Sequence, residues 1–172
     1  STRHGQFRCY GENGIIESED GSSMNDRKEK IKVLFLCTGN ACRSQMAEGW
    51  ARHLKSDVIE AYSAGVWPIG VSTKTIQVMA EAGVDISSHT SDHVRTYLDM
   101  DFDFVVTLCD YANKECPQFS GKTRLVHRPF QDPISATGSS EQVLDAYRKT
   151  RDEIRAFIET LPESIQSGVE TK

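Results

Sequence analysis

Eight consecutive residues, Cys37-Thr38-Gly39-Asn40-Ala41-Cys42-Arg43-Ser44, carry the strongest chemical signal in this 172-residue chain. A thiol and a guanidinium with five residues between them can stand at the two ends of a loop that curls around a tetrahedral anion. Successive backbone N–H groups of such a loop face inward. A helix starting directly behind it adds unpaired donors and the positive end of its dipole. Gly39 permits the tight turn, Asn40 tolerates a left-handed backbone and can tie the loop with its side chain, and Arg43 offers a planar fork for two oxygens. Thr38, Gly39, Asn40, Ala41, Cys42, Arg43 and Ser44 are therefore the expected oxyanion cradle, with Cys37 as the nucleophile beneath it. A helix N-terminus and a nearby arginine can draw a cysteine pKa from about 8.5 into a range of roughly 3.5–7.5. The expected form of Cys37 is a thiolate, to which Ser44 can donate a hydrogen bond.

The other cysteines are Cys9, Cys42, Cys109 and Cys116. An odd count in a chain of this size argues against a static disulfide framework and for reactive thiols, although free cysteine is also a common small core residue. Six residues, Asp110 to Glu115, separate Cys109 from Cys116. That segment suits a short helix or a loop that rearranges, and a disulfide across it needs Cα atoms within about 7 Å. Taken alone, the pair reads as a strand-end core residue and a chance neighbour. Cys37 and Cys42, with four residues between them, match the spacing of some zinc pairs, but Cys109 and Cys116 do not, and Arg43 repels a dication. Cys42 reads instead as a small buried thiol behind the loop. In Asp132-Pro133 the proline favours an extended preceding residue. A carboxyl group held there over the anion can act as a general acid, while the same dipeptide is also common in turns.

These groups need elements to position them. Lys32 to Leu36 reads as a buried strand, leading into the loop. Ser44 to Leu54 carries Met46, Ala47, Trp50, Ala51 and Leu54 at helical spacing. Val58 to Tyr62 reads as a second strand, closed by Ser63-Ala64-Gly65. Ser72 to Ala82 reads as a helix with Ile76, Met79 and Ala80 inward, stopped by Gly83. Phe102 to Leu108 and Thr123 to His127 are the third and fourth strands. A last helix opens with a capping box from Ser139 to Gln142 and runs to Leu161, before Pro162. The expected fold is α/β, a single domain with a four-stranded parallel sheet and helices on both faces. Sites in such folds gather beyond the carboxyl ends of the strands. Cys37, Cys109 and the loop after His127 all fall there.

Residues 31–162 form the expected domain. Residues 1–30 are polar and read as a mobile extension. Met24 stands just ahead of the first strand, so 1–23 read as a native extension or an added segment; Cys9 lies there and is given no role. Residues 163–172 read as a frayed tail. A net charge of −5 with no strongly basic half does not indicate a nucleic-acid footprint. No apolar run approaches the roughly 18 residues of a membrane span, and the opening Ser1-Thr2-Arg3-His4 lacks the apolar core of a signal peptide. A cytoplasmic monomer is expected.

Val33 to Leu54 resembles the opening of the low-molecular-weight tyrosine phosphatase superfamily. Gly39-Asn40 and Cys42-Arg43-Ser44-Gln45-Met46-Ala47-Glu48-Gly49-Trp50 resemble more narrowly its thioredoxin-coupled arsenate reductases. The likeness continues through Ser63-Ala64-Gly65, Thr90-Ser91-Asp92, Val106-Thr107-Leu108-Cys109, Cys116-Pro117 and Asp132-Pro133. Ala41 departs from it, since these reductases often carry Ser there. The resemblance implies a relay. Cys37 attacks arsenic, Cys109 attacks Cys37 and releases arsenite, Cys116 attacks Cys109, and thioredoxin reduces the resulting Cys109–Cys116 disulfide. It implies that Asp132 is the acid, that no organic cofactor takes part, and that Asn40, Glu48, Ser63 and Asp92 hold a potassium ion; the plainer reading of these last is a helix-face Glu and a capping Asp. Ile134 stands where phosphatases of the family usually have Tyr. Two rivals remain: a low-molecular-weight protein tyrosine phosphatase using Cys37, Arg43 and Asp132 alone, and a non-enzymatic thiol sensor with a reversible Cys37–Cys42 disulfide.

Overall fold

A computed structural model describes residues 28–168. The expectations for residues 1–27, Cys9 among them, and for 169–172 lie outside the described residues. Four strands, β1 (Ile31–Cys37), β2 (Ile59–Gly65), β3 (Phe104–Thr107) and β4 (Arg124–His127), form one parallel sheet in the order β2-β1-β3-β4. The helices are α1 (Arg43–Leu54), α2 (Thr73–Glu81), α3 (Asp110–Lys114), α4 (Ser140–Glu159) and α5 (Glu163–Ser167). Short 3-10 helices span Val94–Tyr97 and Pro133–Ser135. The architecture is the expected single four-stranded parallel α/β domain.

Val33, Leu34, Phe35 and Leu36 on the inner strand β1 are wholly buried, which is why that strand reads as an unbroken apolar run. Side chains alternate along β2. Ser63 therefore reaches Glu48 on α1, while Tyr62 faces the opposite side, edge-on to Tyr97 and Phe102 at centroid distances of 5.8 and 5.4 Å. α1 thus lies on one face of the sheet, and the rings of Tyr97 and Phe102 meet Tyr62 on the other. The helical layer is tied together by polar contacts. The Trp50 indole on α1 donates to the Arg151 carbonyl on α4 (3.2 Å), and Arg148 on α4 grips Glu81 on α2 through two nitrogens (2.8 and 3.0 Å). The capping box that starts α4 is formed, Gln142 N–H on Ser139 Oγ and Ser139 N–H on Gln142 Oε1.

Three local expectations need correction. Ser63-Ala64-Gly65 does not close the second strand but completes it, because Phe35, Leu36 and Cys37 extend far enough to pair with these residues. On α2 the buried residues are Thr75, Val78 and Met79, and Ala80 is exposed. That helix packs against α4 and α1, and its buried stripe is rotated by about one residue. Residues 163–167 are not frayed: they form α5, anchored by a buried Ile165.

The strand order decides where chemistry can occur. The chain leaves β1 for β2 on one side and returns to β3 on the other, so a crevice opens beyond the carboxyl ends of β1 and β3. Cys37 ends β1, and Cys109 follows β3 by two residues.

Candidate active site

The loop between β1 and α1 is held open by its own side chains. Asn40 has φ 47°, within the left-handed region that asparagine tolerates better than most residues. Its amide donates to Ser44 Oγ (2.7 Å) and Ser63 Oγ (3.0 Å), and its Oδ1 accepts from the Asp92 backbone N–H (2.8 Å). Gln45 reaches back from α1 to the carbonyls of Asn40 (3.1 Å) and Thr90 (2.8 Å). The loop rests directly on Gly65, where a Cβ would come within 2.8 Å of both Asn40 N and Thr38 O. Any side chain at position 65 would push the cradle outward. The Cys37 sulfur lies buried at the loop's base, 2.9 Å from Ser44 Oγ.

Arg43 and Asp132 close the mouth. The guanidinium donates to the Phe130 carbonyl (3.2 Å) and to Asp132 Oδ2 (3.0 Å). Asp132 is extended, as expected before proline, and its Oδ1 caps Ile134 N–H at 3.0 Å. These groups bound a cleft of about 20 Å³ together with Cys37, Gly39, Ala41 and Cys42. A far larger depression of about 410 Å³ lies at the opposite end of the sheet, beside Lys30, Lys32, Glu60, Asp101 and Asp103, and is lined by no cysteine. The small cleft is where the chemistry converges. Cys42 sits behind it, its thiol on Tyr147 Oη at 3.9 Å, and burial pushes its pKa up. Cys42 is thus a protonated packing thiol.

The second and third thiols differ in setting. Cys109 Sγ lies 3.2 Å from Thr38 Oγ1 on the cradle and accepts the Ala112 N–H (3.4 Å), capping α3. Cys116, past the end of α3, is half-buried, and burial pushes its pKa up to about 11. Contacts from three directions pin α3: Asn113 Oδ1 accepts from Thr107 Oγ1 (3.2 Å), Asp110 meets His127 Nε2 (2.9 Å), and Tyr111 Oη accepts from Trp67 Nε1 (3.1 Å).

Beside the cradle, Glu48 is buried on α1 and accepts from Ser63 Oγ and from Arg52, whose NH2 lies 2.6 Å away. Burial pushes the Glu48 pKa up, and Asp92 raises it further. His89 Nδ1 is 3.6 Å from Glu48, but burial, reinforced by Arg52, lowers the His89 pKa. His89 is therefore neutral near pH 7, and its Nδ1–H donates to Gln45 Oε1 at 2.9 Å. Of the four residues expected to share a cation, Ser63 and Glu48 touch directly, Asn40 presents amide hydrogens, and Asp92 joins through its backbone. The Asp92 carboxylate accepts from Thr90 (2.8 Å) and Tyr97 (3.1 Å).

The model of the low-molecular-weight phosphotyrosine protein phosphatases matches residues 32–170, four-fifths of the chain. The chain belongs to that family. An arsenate reductase of Halalkalibacterium halodurans is 43% identical over 135 residues, spanning 78% of this chain and 97% of the relative. Among solved structures, an arsenate reductase in the reduced state matches with a TM-score of 0.63 at 32% identity, over 76% of this chain and 95% of its own. A thioredoxin-dependent arsenate reductase of Corynebacterium glutamicum matches with a TM-score of 0.59 at 25% identity, over 81% of this chain and 63% of its own.

Within this phosphatase-family domain, Cys37, Arg43, Asp132 and Cys109 converge on one rim, and Cys116 stands at the far end of α3 from it. Sequence reasoning missed Gln45, which ties loop to helix, and Thr38 as the partner of Cys109. Nothing in the sequence singles out Gln45; the fold does, by burying the whole of Arg43 to Ala51. A buried amide needs partners, and those partners are the cradle.

Proposed function

We propose that this chain, as a cytoplasmic monomer, reduces arsenate to arsenite through Cys37, Cys109 and Cys116 in turn, with a thioredoxin supplying the electrons. The observation that carries the reading is the 3.2 Å contact that seats the Cys109 sulfur against Thr38, the residue next to Cys37. A phosphatase needs the cradle, Arg43 and Asp132, but has no use for a second thiol at its edge. The arsenate reductases among the relatives and the thioredoxin-dependent enzyme among the structures support the same reading.

A cleft of about 20 Å³ holds roughly one water. Arsenate entry therefore requires Arg43 to exchange Asp132 for two substrate oxygens, which widens the cleft and frees Asp132 to carry a proton. The Cys37 thiolate then forms a bond to arsenic while one oxygen, protonated by Asp132, departs as water. Cys109 as thiolate attacks the Cys37 sulfur. The sulfur–arsenic bond breaks, its electron pair stays on arsenic, and arsenite leaves a Cys37–Cys109 disulfide. Cys116 attacks Cys109, Cys37 leaves as thiolate, and the dithiol of thioredoxin takes over the Cys109–Cys116 disulfide.

The third step cannot occur with α3 as it stands. Seven residues at about 1.5 Å rise would separate Cys109 from Cys116 by roughly 10 Å along a helix, beyond the roughly 7 Å that a disulfide spans. In that conformation Cys116, with its pKa near 11, is also a protonated thiol at neutral pH. Unwinding α3 removes both obstacles together, by shortening the span and exposing the sulfur to water.

The deciding measurement is arsenite release by the purified chain with thioredoxin, thioredoxin reductase and NADPH. Steady release is expected. Aryl-phosphate hydrolysis without any arsenite release would put the phosphatase reading in its place.

Oxygens of Glu48 and Ser63, with the Asp92 carboxylate near enough to raise the Glu48 pKa, are the groups that would hold a hard monovalent cation. Asn40 in its present rotamer turns amide hydrogens to the same point and organises the group. Potassium held there would offset the repulsion between the acids and brace Asn40, hence the loop. At constant ionic strength, potassium is expected to raise the melting temperature relative to a bulky organic cation. Asp92→Ala should abolish the difference; identical melting curves for the unsubstituted chain in both salts would remove potassium from the account.

A further inference from the structure

We propose that Trp67 and Tyr111 form a clasp that holds α3 in its helical, reduced conformation and so sets how readily Cys109 and Cys116 are oxidised. This rests on the relay proposed above. Trp67 is 64% exposed and Tyr111 44% exposed, an unusual setting for two large aromatic side chains beside a reactive site. They meet through one directional contact, the indole N–H on the Tyr111 hydroxyl at 3.1 Å. The backbone of Trp67 is fixed independently. Its N–H donates to the Thr38 carbonyl at 2.8 Å, and the N–H groups of Val66 and Ile69 donate to Cys37 (3.2 Å) and Gly39 (3.0 Å).

Residues 66–69 are thus zipped onto the oxyanion loop, and Trp67 reaches from there to the helix that separates the second thiol from the third. Thr38 serves both sides of this bridge: its carbonyl holds Trp67, and its hydroxyl meets Cys109. The indole and the Tyr111 ring wall a cleft of about 320 Å³ that also includes Glu115 and Pro117, the two neighbours of Cys116. Tyr111 is the second residue of α3. Unwinding α3 carries it away from Trp67, whose backbone stays with the cradle. The contact therefore belongs to the dithiol and is lost in the disulfide, so it opposes oxidation.

The test is an equilibrium of the full chain with glutathione buffers. In that exchange Cys109 and Cys116 give up two protons and two electrons, one S–S bond forms in the protein, and oxidised glutathione is cleaved to two reduced molecules. The Cys109–Cys116 fraction is read by acid quench and peptide mapping. Tyr111→Phe, which keeps the ring and removes only the hydroxyl, is expected to shift the constant toward disulfide by about three- to fivefold, the weight of one hydrogen bond. Trp67→Phe should shift it similarly, and the double variant no further than either single one, because both delete the same interaction. Aryl-phosphate hydrolysis should stay unchanged in all three. Constants equal to the unsubstituted chain's, or two shifts that simply add, would overturn the clasp while leaving the relay in place. If the unsubstituted chain forms no Cys109–Cys116 disulfide at any glutathione ratio, the relay itself fails and the clasp with it.

Discussion

The Cys37→Ser variant is expected to lose arsenate reduction and aryl-phosphate hydrolysis together, each by on the order of 10⁴–10⁶-fold, as when a covalent nucleophile is removed from an enzyme. The two activities should fall in step because one sulfur serves both. The Cys37 sulfur lies at the base of the cradle, 2.9 Å from Ser44 Oγ and beneath the mouth that Arg43 and Asp132 close. A hydroxyl in that position is nearly isosteric but is not ionised at neutral pH, and it gives Cys109 no arsenic-bound sulfur to attack. Folding should hardly change, since Ser44 keeps a hydrogen-bonding partner. Thermal melting serves as the control. Wild-type rates in either reaction would place the nucleophile elsewhere, and a collapse of melting temperature would make the loss uninformative about chemistry.

The second large effect separates the later thiols. Cys116→Ser should convert about one arsenate per molecule and then stop as a Cys37–Cys109 disulfide, because two thiols suffice to expel arsenite and none remains to move the oxidation outward. Cys109→Ser should stop one step earlier, at the arsenic adduct on Cys37, and complete hardly a single turnover. Both variants should keep hydrolysing an aryl phosphate, a reaction that needs only the loop, Arg43 and Asp132. The arrangement around Cys109 makes the difference concrete. Its sulfur touches the cradle through Thr38, whereas Cys116 lies beyond a five-residue helix. Peptide mapping after one turnover identifies the joined sulfurs. Continuous thioredoxin-linked turnover by both single variants would sink the relay.

Much of this protein can be read along the chain because its signals are local. The apolar run of β1 is legible since a strand buried on both faces needs no alternation. The cradle is legible since Cys37 to Ser44 form it from contiguous residues, and its backbone turn at Asn40 depends on a residue type that accepts φ 47°. The capping box of α4 lies within four residues. Each of these is dictated by spacing and by the conformational preferences of the residues themselves, so a linear reading suffices.

What the linear sequence left undetermined lies where distant segments meet. The order β2-β1-β3-β4 sets the segment after β3 beside the end of β1, and no spacing along the chain announces the 3.2 Å contact between Thr38 and a sulfur 71 residues away. The length of β2 was decided by its partner, since Ser63 to Gly65 are strand only because Phe35 to Cys37 pair with them. The same packing makes Gly65 indispensable, for the loop it supports approaches from another strand. The fate of residues 163–167 turned on whether Ile165 found a core to enter, and it did. Trp67 and Tyr111, 44 residues apart, are unremarked surface aromatics until the fold sets them in contact. Residue type and local spacing determined which groups could react; long-range pairing and burial decided which of them meet.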